Sequence, residues 1–511
     1  MKKIISIAVL VCLLATFFGC SAMDKNYGAE DGGFGYLTDE SLVGNSGVAI
    51  GDGEYGKLIE NKFINTSEEP TSTFSADVDT ASYSYFRKLV KLGYNLSELI
   101  ATGGDSVRTE EMINYFDYDY KGPAQSELFG TNVQIADCPW NENAVLMMLG
   151  LKAQDVEVKA DNNLVFLIDV SGSMQSSDKL PLLKKSFSYL VDQLDEGDRV
   201  SIVTYSGAEK IVLKGAKGNK RDLIMNAVDS LEAKGSTNGE AGLKKAYQLA
   251  EEYFIEGGNN RIIMASDGDL NVGISSEAEL ESYISQKRES GVYLSVLGFG
   301  TGNYKDAKME TLADNGNGVY YYIDGETEAE KVFGSDIFST LYTVAKDVKL
   351  QLTFDAENVE SYRLVGYENR LLNKEDFEDD TKDAGDVGSG HCVTVCYELI
   401  LTDKALLSES EWMTLAVRYK PIDSEKSELR EYSIGAEEYT KAPNDDFRFV
   451  CSVIKTAMIL HGSEYLGERD LVGLGDVIAA LAEIDLSDDP EKTEFFSLIK
   501  TLHAATVNES V

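Results

Sequence analysis

Between residues 161 and 346, short apolar runs alternate with stretches in which apolar positions recur every three or four residues. Leu164 to Ile168, Arg199 to Tyr205, Arg261 to Ala265, Tyr293 to Phe299 and Val319 to Ile323 have the length and β-branched or aliphatic character of strands. Asp178 to Leu194 places Leu183, Phe187, Leu190 and Leu194 on one helical face, and Arg221 to Leu231, Gly239 to Phe254, Ser276 to Glu289 and Lys305 to Ala313 also read as helices. Strands that are apolar throughout, separated by helical crossovers, predict a doubly wound, mostly parallel sheet with helices on both faces. Ligands of such sheets bind at the carboxyl ends of the strands.

On either side the period changes to two. Val133, Ile135, Val145, Met147 and Leu149 alternate around Cys138-Pro139-Trp140, and beyond Asp347 so do Val348, Leu350, Leu352 and Phe354, then Val393, Val395, Tyr397, Leu399 and Leu401, followed by Thr414 to Tyr419. If these two regions share one sheet system, the segment between them is an insertion. After Asn444 the helical period returns, with Phe447, Val450, Ile454, Ala457, Met458 and His461 in step and Leu474 to Ile484 continuing it; His461 reads as a core-facing side chain. The expected fold class is therefore α/β, a doubly wound sheet inserted in or flanked by a β-rich domain, with a C-terminal helical cluster. Nearer the N-terminus, Asp77 and Asp79 precede a helix from Tyr83 to Leu92, and Asp79-Thr80 stands where a helix cap is expected, so a structural role is preferred to a second metal site.

Composition narrows the partners. In 511 residues, 47 Lys plus Arg face 87 Asp plus Glu, a formal net charge of −40. Such a surface repels phosphate backbones, which argues against nucleic acid, and attracts cations. An apolar fraction of 43% with 10% aromatics belongs to a folded chain. Only three histidines occur, His391, His461 and His503, which disfavours a histidine-based hydrolase or zinc centre. There is no Gly-x4-Gly-Lys-Ser/Thr loop, so no nucleotide is expected.

The first twenty residues combine Lys2 and Lys3, an apolar stretch from Ile4 to Phe18, and Gly19-Cys20. This resembles a bacterial lipoprotein signal, in which the cysteine, here Cys20, is lipidated and becomes the new N-terminus. The protein is then expected outside the cytoplasm and anchored to the membrane by lipid, or secreted if that signal is not used. From Ser21 to about Thr71 a Gly-, Ser-, Asn- and Asp-rich stretch reads as a flexible tether. Of the remaining thiols, Cys392 and Cys396 lie on one strand face but over ~13 Å apart at ~3.3 Å per residue, too far to bridge. With Cys138 and Cys451 they read as buried thiols. The chain divides into a signal (1–19), a tether (20–71), an N-terminal region with strands (72–160), the α/β domain (161–346), a β-rich domain (347–442) and a helical segment (443–511).

The polar residues of interest fall at the strand ends. Asp169, Ser171 and Ser173 follow the first strand, Thr237 lies in the Gly-Ser-Thr-Asn-Gly loop that opens a helix, and Asp267 follows the Arg261 to Ala265 strand. Three loops thus offer hydroxyl and carboxylate oxygens to one place, a donor set suited to Mg²⁺ or another oxygen-seeking divalent ion. Asp169-Val170-Ser171-Gly172-Ser173 with the distant Thr237 and Asp267 closely resembles the metal-ion-dependent adhesion site of von Willebrand factor type A domains. That resemblance implies Mg²⁺, or Mn²⁺ or Ca²⁺, held by Asp169, Ser171, Ser173, Thr237 and Asp267. It also implies a protein ligand that offers an acidic side chain to the metal, with a C-terminal helix, about Glu328 to Ala345, able to act as a switch. Phe74 to Phe86, Arg108 to Phe116, Gly366-Tyr367-Glu368-Asn369-Arg370 and Asp383-Ala384-Gly385 resemble bacterial YfbK-like lipoproteins, which implies an N-terminal region, a central A domain and a C-terminal domain. The expected function is metal-dependent binding of a protein partner rather than catalysis. The alternatives are a metal-dependent hydrolase, which lacks a plausible general base, and a regulatory subunit of an envelope complex.

Overall fold

The computed structural model describes residues 58–76, 79–103, 107–125, 127–156, 160–235, 239–268, 277–300, 306–382, 384–405, 410–422, 424, 426–467 and 473–508. Cys20, Asp77, Thr237 and residues 20–57 of the expected tether lie outside them.

The expected α/β sheet is present. In space its six strands run Tyr320–Ile323, Tyr293–Phe299, Asn259–Ser266, Asn162–Asp169, Arg199–Tyr205 and Lys210–Lys217, parallel except for the last. Every residue of Asn162–Asp169 is buried, because both faces are covered. Leu164, Phe166 and Ile168 pack on one side against Leu183 and Phe187 of helix Leu180–Gln193 and Ile224 and Val228 of helix Arg221–Asp229. Val165 and Leu167 pack on the other with Leu243 and Tyr247 of helix Gly239–Glu252, Leu280 and Ile284 of Glu277–Arg288, and Met309 and Leu312 of Asp306–Asn315. The antiparallel edge strand Lys210–Lys217 was not expected. Its largely solvent-facing, lysine-bearing pattern carries little apolar signal.

The strands before and after this sheet belong together. Val145–Ala153 pairs antiparallel with Cys392–Leu401, Leu149 opposite Val395, so the chain leaves one β-sheet, builds the α/β unit, and returns to the same sheet. A second sheet centres on Thr343–Phe354, which pairs with Glu411–Pro421 along one edge and with Thr71–Ser75 on the other, Leu350 opposite Phe74. Met147, Leu149, Val395 and Tyr397 from the first sheet and Leu350, Leu352, Trp412 and Leu415 from the second share one core. Ile64–Asn65 adds to the first sheet beside Tyr362 and Ser361, and Asn61 donates to the Gly366 carbonyl at 2.8 Å.

The helical cluster draws on both ends of the chain. Helix Asp445–His461 starts with Asn444 accepting from the Phe447 N–H and ends at Gly462 in the left-handed region, φ +63. Its Phe449 meets Phe116 and Phe495, and Phe116 meets Tyr83, so the N-terminal helix Ala81–Lys91 packs with the C-terminal helix Pro490–Asn508. His461 is partly buried and donates through Nε2 to the Val107 carbonyl. The four cysteines Cys138, Cys392, Cys396 and Cys451 are free thiols.

Two local expectations change. Asp79 does not cap the helix; Thr80 holds that position without a side-chain cap bond, while Asp79 Oδ1 accepts from the Tyr320 N–H at 2.8 Å and Oδ2 pairs with Arg370 at 3.0 Å. The α/β sheet ends at Tyr320–Ile323, and an edge amide there needs an acceptor. The helix expected over Glu328 to Ala345 is instead Glu326–Lys331, a π-helical turn at Val332–Asp336 and a short helix Ile337–Leu341, and Thr343 already begins a strand. Glu328 is also locked. Arg87, 1% exposed, reaches from helix Ala81–Lys91 to Glu328 at 2.6 Å and, through Nε, to Asp324 at 2.8 Å, and the Tyr115 hydroxyl donates to Glu328 at 2.8 Å.

Candidate functional site

Strand register brings the two expected aspartates to one edge. In the sheet Asp169 lies opposite Tyr205 and Ile168 opposite Ala265, so Asp169 and Asp267 emerge from adjacent strands at their carboxyl ends. Asp169 is fully buried and Asp267 only 2% exposed. Asp169 Oδ1 accepts from the Ser171 N–H at 2.7 Å, turning the chain back over the strand end into the short helical turn Gly172–Gln175. That turn sets the Ser171 and Ser173 hydroxyl oxygens 2.9 Å apart. Ser171 is buried, whereas Gly172 and Ser173 face solvent. Two hydroxyls therefore stand at a lip above buried carboxylates.

A third loop is tied to the same place. The Lys234 N–H donates to the Val170 carbonyl at 2.6 Å and the Gly172 N–H to the Gly235 carbonyl at 3.1 Å. Thr237 itself is outside the described residues, but the chain just before it is held against the Asp169 loop. The helix that follows, Gly239–Glu252, lies close on the sheet: a Cβ on Gly242 would stand 2.8 Å from the Cβ of Tyr205.

Two buried carboxylates, Asp169 and Asp267, set the electrostatics around this edge. Burial first, and the Asp169 carboxylate next, push the Tyr205 hydroxyl well above the usual phenol range, so it stays protonated beside that carboxylate. Lys179, in the turn before helix Leu180–Gln193, places Nζ 2.8 Å from Asp267 Oδ2 and 3.1 Å from the Ser173 carbonyl oxygen. Gly300 makes room for it, because a Cβ there would lie 2.2 Å from Lys179 Cε. Neither Lys179 nor Tyr205 was legible as a site residue. One is a lysine among many and the other ends an ordinary apolar strand. Among the described residues no three of His, Cys, Asp and Glu converge to cage a metal. A metal at this edge therefore needs hydroxyl donors, and the two serines and two aspartates fit a hard, oxygen-seeking divalent ion.

A family model described as "von Willebrand factor type A domain" matches residues 163–335, one described as "Uncharacterized protein YfbK, C-terminal" matches 339–505, and one described as "von Willebrand factor" matches 49–148. The chain is 40% identical over 491 residues to the protein YfbK of Escherichia coli (strain K12), covering 91% of this chain and 83% of that one. It is 27% identical over 198 residues to a Synechocystis sp. protein, sll0103, covering 39% of this chain and 46% of that one. Among solved structures it is similar to a von Willebrand factor type A protein from Catenulispora acidiphila, with 17% identity and a TM-score of 0.42 over 77% of this chain and 89% of that one.

Proposed function

Because the chain belongs to the YfbK family and carries a von Willebrand factor type A domain at its centre, we propose that the edge built from Asp169, Ser171, Ser173 and Asp267, with Thr237, is a divalent-metal-dependent docking site for a protein partner. The observation that carries this reading is the Lys179 ammonium, 2.8 Å from Asp267 and hydrogen-bonded to the Ser173 carbonyl. The spot beside the paired serine hydroxyls already stabilises a positive charge. Mg²⁺, Mn²⁺ or Ca²⁺ bound there supplies a Lewis-acidic position for an incoming ligand. Neutral hydroxyl donors leave such an ion electron-poor and so favour an acidic oxygen from the partner. Gly172 and Ser173, the exposed members of the loop, are where that partner would approach. No histidine falls within residues 161–346, which leaves no imidazole base to turn a bound ion to hydrolysis. The same reading has the protein exported and held at the membrane by lipid on Cys20.

The test is capture from a cell-envelope extract by the full chain. Binding in Mg²⁺ that is lost in chelator and in Ser171→Ala supports the proposal; binding indifferent to both rules it out. Lys179 adds a second, quantitative expectation. Its ammonium competes with the metal for Asp267 and repels it at short range. Lys179→Met is therefore expected to lower the Kd for Mg²⁺ by about tenfold in calorimetry, roughly 1.4 kcal/mol. An unchanged or weaker Kd would mean that Lys179 plays no competing part.

A further inference from the structure

Three arginines are buried among the described residues: Arg87 and Arg363 at 1% exposure and Arg261 at 4%. Arg87 closes on Asp324 and Glu328, and Arg363 on Glu398. Among the described residues Arg261 makes no ion pair; the Asp386 carboxylate, on the same cavity, acts on it only at longer range. Its guanidinium donates to the Ser295 hydroxyl at 2.8 Å and the Thr340 carbonyl at 3.2 Å, and lies 5.7 Å from the centroid of the Tyr293 ring. Two neutral acceptors use two of its five N–H donors. Burial accordingly lowers its pKa, the sign of a charge that its surroundings do not fully compensate. Buried charges are ordinarily paired, so a buried guanidinium bonded only to neutral acceptors keeps donors for an anionic ligand.

Arg261 lines a cavity of about 360 Å³ between the α/β sheet and the β-rich domain. That volume falls in the range of small-molecule pockets, roughly 300–1,000 Å³. In the same lining Arg370 is held by Asp79 and Asp314, both at 3.0 Å, Arg288 and Asp386 add one charge of each sign, and Asn315, Asn317 and Thr343 bring neutral polar groups. We propose that this cavity is a binding site for a small oxyanion, a carboxylate or phosphate carrying hydroxyl or amino groups, whose charged end is taken by Arg261. The guanidinium fork matches either oxyanion in two-point contact. The ligand's hydroxyl or amino donors then meet Asp314 and the asparagines. The site is separate from the metal-docking edge: Arg261 is near the start of strand Asn259–Ser266 and Asp267 follows its end, roughly 20 Å apart at ~3.3 Å per residue.

The experiment uses the full chain and three probes, inorganic phosphate, acetate and L-glutamate, each at 10 mM against sodium chloride of matched ionic strength. At least one probe is expected to raise the thermal midpoint and to bind in calorimetry with a millimolar or tighter Kd, phosphate against the two carboxylates telling which oxyanion is preferred. Arg261→Gln is expected to weaken that Kd at least about tenfold, the scale of a charge-assisted hydrogen bond. Should Arg261→Gln not fold, Arg261→Lys, which keeps the charge and loses the fork, is expected to weaken it several-fold. Asp169→Asn should leave it unchanged, which separates this site from the proposed metal edge. No probe binding to the wild type, or binding undiminished in the folded Arg261 variant, overturns the proposal.

Discussion

Asp169→Asn is expected to weaken Mg²⁺ binding by at least about a hundredfold while leaving the fold intact. The amide keeps an oxygen where Asp169 Oδ1 now accepts from the Ser171 N–H at 2.7 Å, so the turn that pairs the serine hydroxyls retains its anchor. What is lost is one of the two buried carboxylates, and with it half the negative charge available to a divalent ion in a place where water screens little. Neighbours that merely orient a ligand are already worth about 10–100-fold in affinity, so the loss of a charged donor sits at or beyond the top of that range. Titration calorimetry on wild type and variant, with thermal midpoints measured without metal, separates the two effects. Equal affinities would place the ion elsewhere, and a collapsed midpoint would make Asp169 a structural residue.

Arg87→Met is expected to destabilise the protein by about 3–5 kcal/mol, the usual cost of leaving buried charges without their partner. Its partners Asp324 and Glu328 are 8% and 2% exposed, and burial already pushes the Asp324 carboxyl upward against the opposing pull of Arg87. Without the guanidinium both carboxylates face a low-dielectric interior, although the Tyr115 hydroxyl still donates to Glu328. Adding Glu328→Gln to Arg87→Met should recover part of the loss, because it removes a stranded charge; an ordinary packing defect would not be rescued in this way. Scanning calorimetry measures the first effect. Hydrogen exchange localises it: amides of Glu326–Lys331 and of the π-helical turn Val332–Asp336 should exchange faster, as that segment is the one Arg87 pins to the N-terminal helix. Stability and exchange unchanged from wild type would show that the ion cluster contributes nothing net.

Much of this was legible beforehand. The runs Leu164 to Ile168 and Arg199 to Tyr205 are apolar throughout because the strands are covered on both faces, and their continuous burial in the structure follows from that. The alternation at Val145 to Leu149 and at Val393 to Leu399 marked strands, although both are buried on both faces and nothing local says that Leu149 should lie opposite Val395. The edge strand Lys210–Lys217 was invisible because one-sided exposure dilutes the apolar signal. The C-terminal helix implied by the resemblance ends earlier, at Leu341, because the chain from Thr343 is taken into the second sheet.

The loop of Asp169, Ser171 and Ser173 stood out in the sequence because the turn it makes is a matter of a few adjacent residues: an aspartate that accepts from the backbone two positions on, and two hydroxyls spaced to meet. Periodicity, capping and turn chemistry act over such short distances, so the chain alone determined five of the sheet's six strands, most of the helices and the place of this loop. Lys179, Arg87 and Arg261 had no such mark. Each is one of 47 basic side chains, and each acquired its part only from what folding brought beside it: Asp267 across 88 residues, Asp324 across 237, and for Arg261 a cavity wall where its hydrogen bonds go to the Ser295 hydroxyl and the Thr340 carbonyl. Charge interactions depend on distance in space and on burial, and both are settled only when remote segments pack.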